Sequence, residues 1–236
     1  MSAESTAGID GVRHGGSVLR PGIRTFKPRR SRITQRQSQA LEAQPPWLLP
    51  SASDEPLDLA ALWGAGVPVV AEIGFGMGSP TATMAQADPA TGVLAIDIHT
   101  PGVGDLLAEI HERNLANIRV IEADALGVLS TRVGSHALAG LRSYFPDPWP
   151  KARHFKRRLV QPAVLDLAWS RLASGGSWHL ATDWSEYAGW MQEVFAGDPR
   201  WQGGIIERPA WRPVTGYERR ALREGRQIVD LLYRTA

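Results

Sequence analysis

Residues 68–78 read Pro-Val-Val-Ala-Glu-Ile-Gly-Phe-Gly-Met-Gly, a short apolar run that ends in a glycine-rich turn. The run predicts a buried strand, and the apolar spacing beyond the turn predicts a helix. Gly74 and Gly76 let the backbone bend sharply and approach a ligand closely. A nicotinamide dinucleotide also suits such a turn, but Glu72 would repel its pyrophosphate, and Ser79 stands where that fingerprint needs its third glycine. The turn therefore favours a ligand with a cationic group.

The same alternation of apolar runs and helical stretches continues along the chain. Strands that alternate with helices predict an α/β fold, with a mostly parallel sheet and helices on both of its faces. Ligands of such sheets bind beyond the carboxyl ends of the strands, so residues just after each strand are the candidates for a site. The predicted strands are 68–73, 93–97, 118–124, 138–145, 177–183 and 228–235, and the predicted helices are 79–87, 102–114, 158–172 and 185–195.

Acidic residues end three successive predicted strands. Glu72 ends the first strand, Asp97 the second, and Asp124, followed by Ala125, the third. Taken singly, each of these acids is more often a helix cap or a loop residue. Taken together they suit S-adenosylmethionine, with Glu72 facing its α-amino group, Asp97 its ribose hydroxyls and Asp124 its adenine amino group. The sequence therefore predicts a cofactor site made by these acids with Ala125, Gly74 and Gly76.

The loop after the fourth predicted strand carries the second group of candidates. Residues 144–158 read Tyr-Phe-Pro-Asp-Pro-Trp-Pro-Lys-Ala-Arg-His-Phe-Lys-Arg-Arg. Two prolines flank Asp147 and stiffen the loop at the edge of the sheet where chemistry is expected. A rigid turn whose aspartate accepts backbone N–H bonds is the alternative interpretation, but it leaves Trp149 and the basic run unexplained.

Charge is segregated along the chain, although the formal net charge is only +2. Residues 11–41 hold eight bases and no acid, 151–158 hold five bases and no acid, and 208–226 hold six bases and two acids. Such segments create local positive fields, as expected of a protein that binds nucleic acid phosphates. Three separate solvated surface runs are the alternative.

Composition limits the other function classes. The chain contains no cysteine, which excludes disulfides, thiol nucleophiles and thiolate zinc sites, and we predict no metal site. The first residues lack the apolar run of a signal peptide and no segment has membrane-spanning length, so we expect a cytoplasmic protein. The domain organisation that we predict is a flexible basic arm at 1–30, an irregular lead-in packed on the domain at 31–66, and one catalytic domain at 67–236.

Five motifs, in this order and spacing, resemble the bacterial tRNA (guanine-N7)-methyltransferase family. The resemblance covers roughly residues 67–236, and the proline-rich basic loop is its most specific part. It implies the seven-stranded, Rossmann-like sheet of class I methyltransferases, with the last strand antiparallel and S-adenosylmethionine as the cofactor. The motifs are EIGFGMG at 72–78, IDIHTPGVG at 96–104, FPDPWPKARHFKRR at 145–158, ATDW at 181–184 and RPVTGYE at 212–218.

The resemblance also implies roles for individual residues. It places cofactor contacts at Glu72, Asp97, Asp124 and Asp147, with Asp147 as the catalytic position. It places substrate contacts at Lys151, Asp183, Thr215, Gly216, Tyr217 and Glu218. Gly216 departs from the family pattern, in which a longer side chain is expected, and this puts a side-chain contact at that position in doubt.

In this interpretation the target is guanine N7 in tRNA, in the variable loop where the family acts. Guanine N7 needs no deprotonation, so Asp147 is predicted to act by positioning the base. Trp149, Trp184 and Tyr217 could stack on the base or could simply pack against the protein. His154 is interpreted as a polar residue of the RNA-binding loop and not as a catalyst. The predicted RNA-binding residues are Arg153, His154, Lys156, Arg157 and Arg158, together with Lys151.

Three rival functions remain open from the sequence. The first is an amino-group nucleic-acid methyltransferase, which the single proline between Asp147 and Trp149 disfavours. The second is a non-catalytic RNA-binding module with a vestigial cofactor pocket, and the third is a nicotinamide dehydrogenase. The sequence leaves the oligomeric state open between a monomer and a homodimer.

Overall fold

The structure is a computed structural model that describes residues 25–26 and 32–236. The predicted basic arm, residues 1–30, therefore lies outside the described residues, apart from Thr25 and Phe26. No helix in the described ranges combines the length and the apolar character that crossing a bilayer requires.

A seven-stranded sheet forms the centre of the molecule, in the order β3-β2-β1-β4-β5-β7-β6. The first five strands run parallel, and β7 lies antiparallel between β5 and β6. The sheet confirms the predicted α/β class, with its last strand antiparallel. The strands are β1 Val69–Ile73, β2 Gly92–Asp97, β3 Ile118–Glu122, β4 Leu138–Tyr144, β5 Leu172–Thr182, β6 Trp201–Ile206 and β7 Val229–Thr235.

Helices cover both faces of the sheet, as predicted, because neighbouring strand residues point to opposite sides. On β2, Leu94 belongs to one apolar core and Val93 to the other. The first core packs under α5, α6 and α7, and the second packs under α3 and α4. The helices are α1 Gln35–Glu42, α2 Leu59–Trp63, α3 Ser79–Ala87, α4 Thr100–Arg113, α5 Ala125–Thr131, α6 Pro162–Arg171, α7 Ser185–Ala196 and α8 Gly216–Arg223, with a 3-10 helix at Ala152–Arg157.

The segment 31–66, which the sequence predicted as irregular, contains two of these helices. Thr34 and Gln37 form a capping box that starts α1, in which each side chain bonds the other residue's backbone N–H. Arg36 ties α1 to α4 through ion pairs with Asp105 and Glu112. The sequence QRQSQALE is too polar to show a helical apolar stripe, so its periodicity does not predict a helix. The helix α1 is held by its cap and by these ion pairs.

Strand β6 was also missed. Its sequence, Trp-Gln-Gly-Gly-Ile-Ile, contains two glycines, which disfavour a strand by propensity. Gly203 shows why glycine is present there, since a Cβ would lie 2.0 Å from the Leu232 carbonyl oxygen on β7. Close pairing with β7 therefore overrides the weak local preference.

The glycine-rich turn after β1 is fixed by close backbone contact with α4. Gly74, Gly76 and Gly78 all have positive φ, which L-residues with side chains adopt poorly. A Cβ on Gly102, in the first turn of α4, would lie 1.8 Å from the Gly76 carbonyl oxygen. The helix therefore packs directly against the backbone of the turn. This contact helps to fix the turn at the carboxyl edge of the sheet.

We expect Gly102→Ala to lower the free energy of unfolding by about 2 kcal/mol or more, because the new methyl group overpacks a rigid backbone contact. Gly189→Ala is the matched control, since Gly189 lies inside α7 with open space around its Cβ position. That change should stabilise the protein by up to about 1 kcal/mol through helix propensity. Urea unfolding of both variants measures the difference, and equal stability of the two variants would refute this account of the turn.

Candidate functional site

A cavity of about 760 Å³ opens at the carboxyl ends of strands β1 to β4. The glycine-rich turn, the residues after β2 and β3, and Asp147 after β4 all line it. The segment 213–217, which leads into α8, also lines it. Strand-end residues thus converge on one space, as a parallel sheet requires.

Glu72 lies at the inner end of this cavity and is almost fully buried, with 3% of its surface exposed. Thr81 donates a hydrogen bond of 3.0 Å to Glu72 Oε1, while Oε2 has no hydrogen-bond partner among the described residues. Burial raises the pKa of Glu72 to about 6, although the positive charge of Arg142 opposes the rise. A buried carboxylate with one unsatisfied oxygen suits a cationic donor group from a ligand.

Asp97, at the end of β2, organises the turn as well as lining the cavity. Its Oδ2 accepts a 2.8 Å bond from the Gly76 N–H, and its Oδ1 accepts a 3.0 Å bond from the His99 N–H. Each carboxylate oxygen has lone pairs for a second donor. The predicted cofactor residues Gly74 and Gly76 line the same cavity.

Asp124 caps α5, where its side chain accepts a 3.3 Å bond from the Leu126 N–H. Burial raises the pKa of Asp124 above its usual value, and the bond from Leu126 only partly offsets the rise. Ala125 and Leu126 line the cavity beside Asp124, and Ile98 lines it from the loop after β2. This part of the cavity is therefore an apolar slot with one carboxylate at its edge.

The loop that carries Asp147 is strained on both sides of it. Phe145 and Trp149 have φ values of 55° and 43°, in a region that bulky residues rarely adopt. The Phe145 N–H donates to the Ala181 carbonyl at 2.7 Å, which ties the loop to β5. Prolines between these two residues restrict the backbone further. Asp147 is thus held at the cavity by a stiff loop.

Two of the aromatic candidates serve packing. Trp149 is buried at 4% exposure, donates from Nε1 to the Thr25 carbonyl at 3.1 Å and lies under the Arg157 guanidinium. Trp184 packs against the larger core. Tyr217 is 47% exposed and lines the cavity, so of these three candidates it is the one that a ligand in the cavity can reach.

The basic loop divides into an exposed part and a buried part. Lys151, Arg153, Lys156 and Arg157 are exposed, and His154 is half-buried. These side chains surround the 3-10 helix beside Asp147, on the outside of the protein. Their placement suits contact with an extended polyanion.

Arg158 corrects the predicted RNA-binding set, because it is 1% exposed. Its Nε donates to the Pro148 carbonyl at 3.0 Å and its Nη2 donates to Glu186 at 2.6 Å. The guanidinium also lies 3.7 Å from the Phe155 ring centroid. Arg158 therefore joins the loop to α7 through Pro148 and Glu186, and it is buried away from any phosphate on the surface.

Glu218 corrects the predicted substrate set in the same way. It is buried, it does not line the cavity, and it forms a two-bond ion pair with the buried Arg212. Arg212 also donates two hydrogen bonds to Asp230 on β7. Burial alone would raise the pKa of Asp230, but bonds from His179 and Arg212 hold it below its usual value.

The other predicted substrate residues separate into two groups. Thr215, Gly216 and Tyr217 line the cavity, and Thr215 caps α8 by accepting from the Glu218 N–H at 3.1 Å. Neither Lys151 nor Asp183 is among the described residues that line it. Asp183 instead forms an ion pair with Arg226.

Sequence reasoning missed Tyr144 and Arg212. Tyr144 lines the cavity at the end of β4, and Arg212 holds the wall that carries Thr215. Arg212 opens the RPVTGYE motif, which was the available signal, but an arginine in a basic segment is indistinguishable from a phosphate ligand without knowledge of its burial.

Comparison with solved structures supports the fold assignment. The 16S rRNA methyltransferase KamB superposes with a TM-score of 0.55 at 17% identity, over 77% of this chain and 95% of KamB. Likeness at that identity concerns the fold, which is the Rossmann-like fold of class I methyltransferases.

Sequence comparison identifies the family. Residues 67–231 match the family described as "Putative methyltransferase". The tRNA (guanine-N(7)-)-methyltransferase of Streptomyces coelicolor is 49% identical over 225 residues, which cover 93% of this chain and 83% of that protein. The enzyme of the same name from Nitrosospira multiformis is 45% identical, over 90% of this chain and 94% of its own length. With its carboxylate-lined cavity and these relatives, the chain belongs to the tRNA (guanine-N7)-methyltransferase family.

Proposed function

We propose that this chain transfers the methyl group of S-adenosylmethionine to N7 of a guanine in tRNA. The observation that carries the proposal is the buried Glu72 carboxylate in the lining of the cavity, whose Oε2 has no hydrogen-bond partner among the described residues. The relatives of this chain in Streptomyces coelicolor and Nitrosospira multiformis carry the name of this activity. The reaction takes place in the cytoplasm, and the target guanine lies in the variable loop of the tRNA.

The residues of the cavity fit the cofactor group by group. Glu72 would accept from the α-amino group, and Asp97 would accept from the ribose hydroxyls with its remaining lone pairs. The slot formed by Ile98 and Leu126 would hold the adenine ring, with Asp124 accepting from the adenine amino group. When bound, S-adenosylmethionine supplies an electrophilic methyl group on a positively charged sulfur.

Guanine N7 carries an in-plane lone pair and no proton at neutral pH, so the protein needs no base to activate it. The task of the protein is to hold N7 in line with the methyl group, and orientation can contribute roughly 7–11 kcal/mol. Asp147 would accept hydrogen bonds from the amino and imino donors of guanine, and its charge would favour the cationic product. Adenine lacks that donor pair, so this arrangement would select guanine.

Exposed bases would hold the tRNA against the cavity. Lys151, Arg153, Lys156 and Arg157 follow Asp147 in the same loop, and Arg219 and Arg220 line the cavity from α8. Phosphates held at both walls would place a flipped base between Asp147 and Tyr217. The protein would act on tRNA as a monomer or as a homodimer.

We expect Asp147→Ala to abolish methyl transfer, because guanine loses the acceptor that orients N7. Binding of S-adenosylmethionine, measured by calorimetry, should remain detectable in this variant. Asp54→Ala, at an exposed site, is the control and should keep full activity. Normal formation of N7-methylguanosine by the Asp147→Ala enzyme would refute the role of this carboxylate.

Glu72→Gln should weaken cofactor binding about 10- to 100-fold, the effect of losing one charge-assisted hydrogen bond. The amide can still accept the bond from Thr81, so the fold should persist. In the unchanged protein the carboxylate is mainly protonated below a pKa of about 6. The affinity should therefore fall about tenfold between pH 7.5 and pH 5, and in Glu72→Gln it should be independent of pH.

Calorimetry across this pH range tests the expectation, with the exposed Glu193→Gln as the control that should retain the pH dependence. An unchanged affinity in Glu72→Gln would show that this carboxylate does not meet the cofactor.

The double variant Arg153→Ala/Lys156→Ala should bind tRNA more weakly and should keep its thermal stability, because both side chains are exposed. The slope of log K against log salt concentration should become shallower by about 1.4 to 1.8, for two lost phosphate contacts. Filter binding at several salt concentrations measures this slope. A parallel shift of the binding curve, with no change of slope, would contradict phosphate contact.

Arg158→Ala is the contrasting variant from the same loop. It should lower the free energy of unfolding by about 1–3 kcal/mol, because it removes a buried side chain with two hydrogen bonds. A loss of tRNA affinity without any loss of stability would return Arg158 to the phosphate-binding set.

A further inference from the structure

Five polar side chains form a continuous chain of hydrogen bonds behind the cavity. Tyr144 bonds His179 at 3.0 Å, and His179 bonds Asp230 at 2.9 Å. Arg212 bonds Asp230 at 2.7 and 2.8 Å. The same guanidinium bonds Glu218 at 2.7 and 3.2 Å. Four of the five side chains, all but Tyr144, belong to residues that are at most 3% exposed.

The chemistry of the chain sets the direction of its hydrogen bonds. The Asp230 carboxylate only accepts, so His179 Nε2 carries the proton and donates it. In the neutral imidazole, Nδ1 is then an acceptor, so the Tyr144 hydroxyl donates to it. Arg212 donates to both carboxylates, Asp230 and Glu218, and its guanidinium also lies 5.4 Å from the Tyr144 ring centroid.

The two ends of the chain reach the two walls of the cavity. Tyr144 itself lines the cavity and precedes Asp147 by three residues. Glu218 lies in the first turn of α8, and its backbone N–H is bonded to Thr215, which also lines the cavity. Arg212, between the two ends, is bonded to β7 through Asp230. The chain therefore spans from the Asp147 loop, across the sheet, to the wall that carries Thr215 and Tyr217.

From this connection we infer that Glu218, Arg212, Asp230, His179 and Tyr144 are positioning residues, which set the spacing of the two walls that grip the target base. Glu218 acts through Arg212 and does not itself touch guanine. The inference rests on the proposed function, because it concerns the same site. Glu72, Asp97 and Asp124, the proposed contacts to the amino, ribose and adenine groups of the cofactor, lie in or just after β1 to β3 and outside this hydrogen-bonded chain, so we expect the chain to govern the methyl-accepting base.

Steady-state methyl transfer to tRNA, with three conservative variants, tests this inference. Tyr144→Phe removes the hydroxyl that bonds His179, Arg212→Lys removes the guanidinium that joins Asp230 to Glu218, and Glu218→Gln leaves Arg212 one acceptor oxygen in place of two. Each variant keeps most of the side-chain volume. Each variant should lower kcat by about tenfold or more, as expected for the loss of one buried hydrogen bond. The affinity for S-adenosylmethionine should stay within about twofold of the unchanged protein, since the proposed cofactor contacts Glu72, Asp97 and Asp124 are kept in these variants.

The double variant Tyr144→Phe/Glu218→Gln separates a connected chain from independent contacts. Because both ends act through the same links, its loss of kcat should be close to that of the more damaged single variant. A direct contact between Glu218 and guanine would instead make the two losses multiply. The ¹⁵N spectrum should show His179 as the Nε2–H tautomer in the unchanged protein and lose its bonded Nδ1 signature in Tyr144→Phe.

Three control variants outside the hydrogen-bonded chain test whether any conservative change at a buried or paired side chain lowers kcat. Tyr233→Phe removes a hydroxyl from a buried tyrosine in the core, and Arg200→Lys changes another arginine that bridges two carboxylates, Asp166 and Asp198. Asp198→Asn neutralises a carboxylate of that bridge. All three controls should keep kcat, and thermal melting of every variant shows whether a loss of rate follows a loss of folding.

Two results would be decisive against the inference. An unchanged kcat in all three chain variants, with active unmodified enzyme, would overturn the positioning role and leave the proposed function intact. No transfer to tRNA by the unmodified enzyme would overturn the proposed function, and the inference with it.

Discussion

The burial of one carboxylate at the end of β1 is the constraint on which the site depends. Glu72 lies inside the protein with Thr81 on one oxygen and no described partner on the other. Such a group stays ionised at low cost only when positive charge reaches it. The glycine turn beside it is held by Asp97 and by the close approach of Gly102, so the opening toward Glu72 cannot collapse. A cavity lined by a buried carboxylate that lacks one hydrogen-bond partner is suited to a cationic ligand.

Charge around this cavity is arranged in two layers. Carboxylates line the inside at the strand ends, whereas exposed lysines and arginines surround Asp147 and α8 on the outside. The inner layer suits a positively charged methyl donor, and the outer layer suits the phosphates of a polynucleotide. Asp147 lies between the layers, where the donor and the base would meet. The near-neutral net charge of the chain hides this arrangement.

Arginines of the same basic segments have different roles, and burial separates them. Arg157 is exposed beside the cavity, whereas its neighbour Arg158 is enclosed by Phe155, Tyr187 and Trp190. Arg212 is enclosed too and bridges two carboxylates, Glu218 on α8 and Asp230 on β7. A run of bases in the sequence therefore does not separate the exposed side chains, which are proposed to meet a polyanion, from the buried arginines that hold the loops in place.

The sequence by itself determined the α/β class and the first three strands, which carry Glu72 and Asp97 and lead to Asp124, because periodicity and turn chemistry are local properties of the chain. The resemblance of its motifs indicated the family. Only the tertiary structure showed the helix α1, the strand β6 and the burial of Arg158 and Glu218. Those features depend on partners far away in sequence, such as the α4 acids for Arg36 and Asp230 for Arg212. Burial and ion pairing between distant segments leave no periodic signal, so only the folded chain could show them.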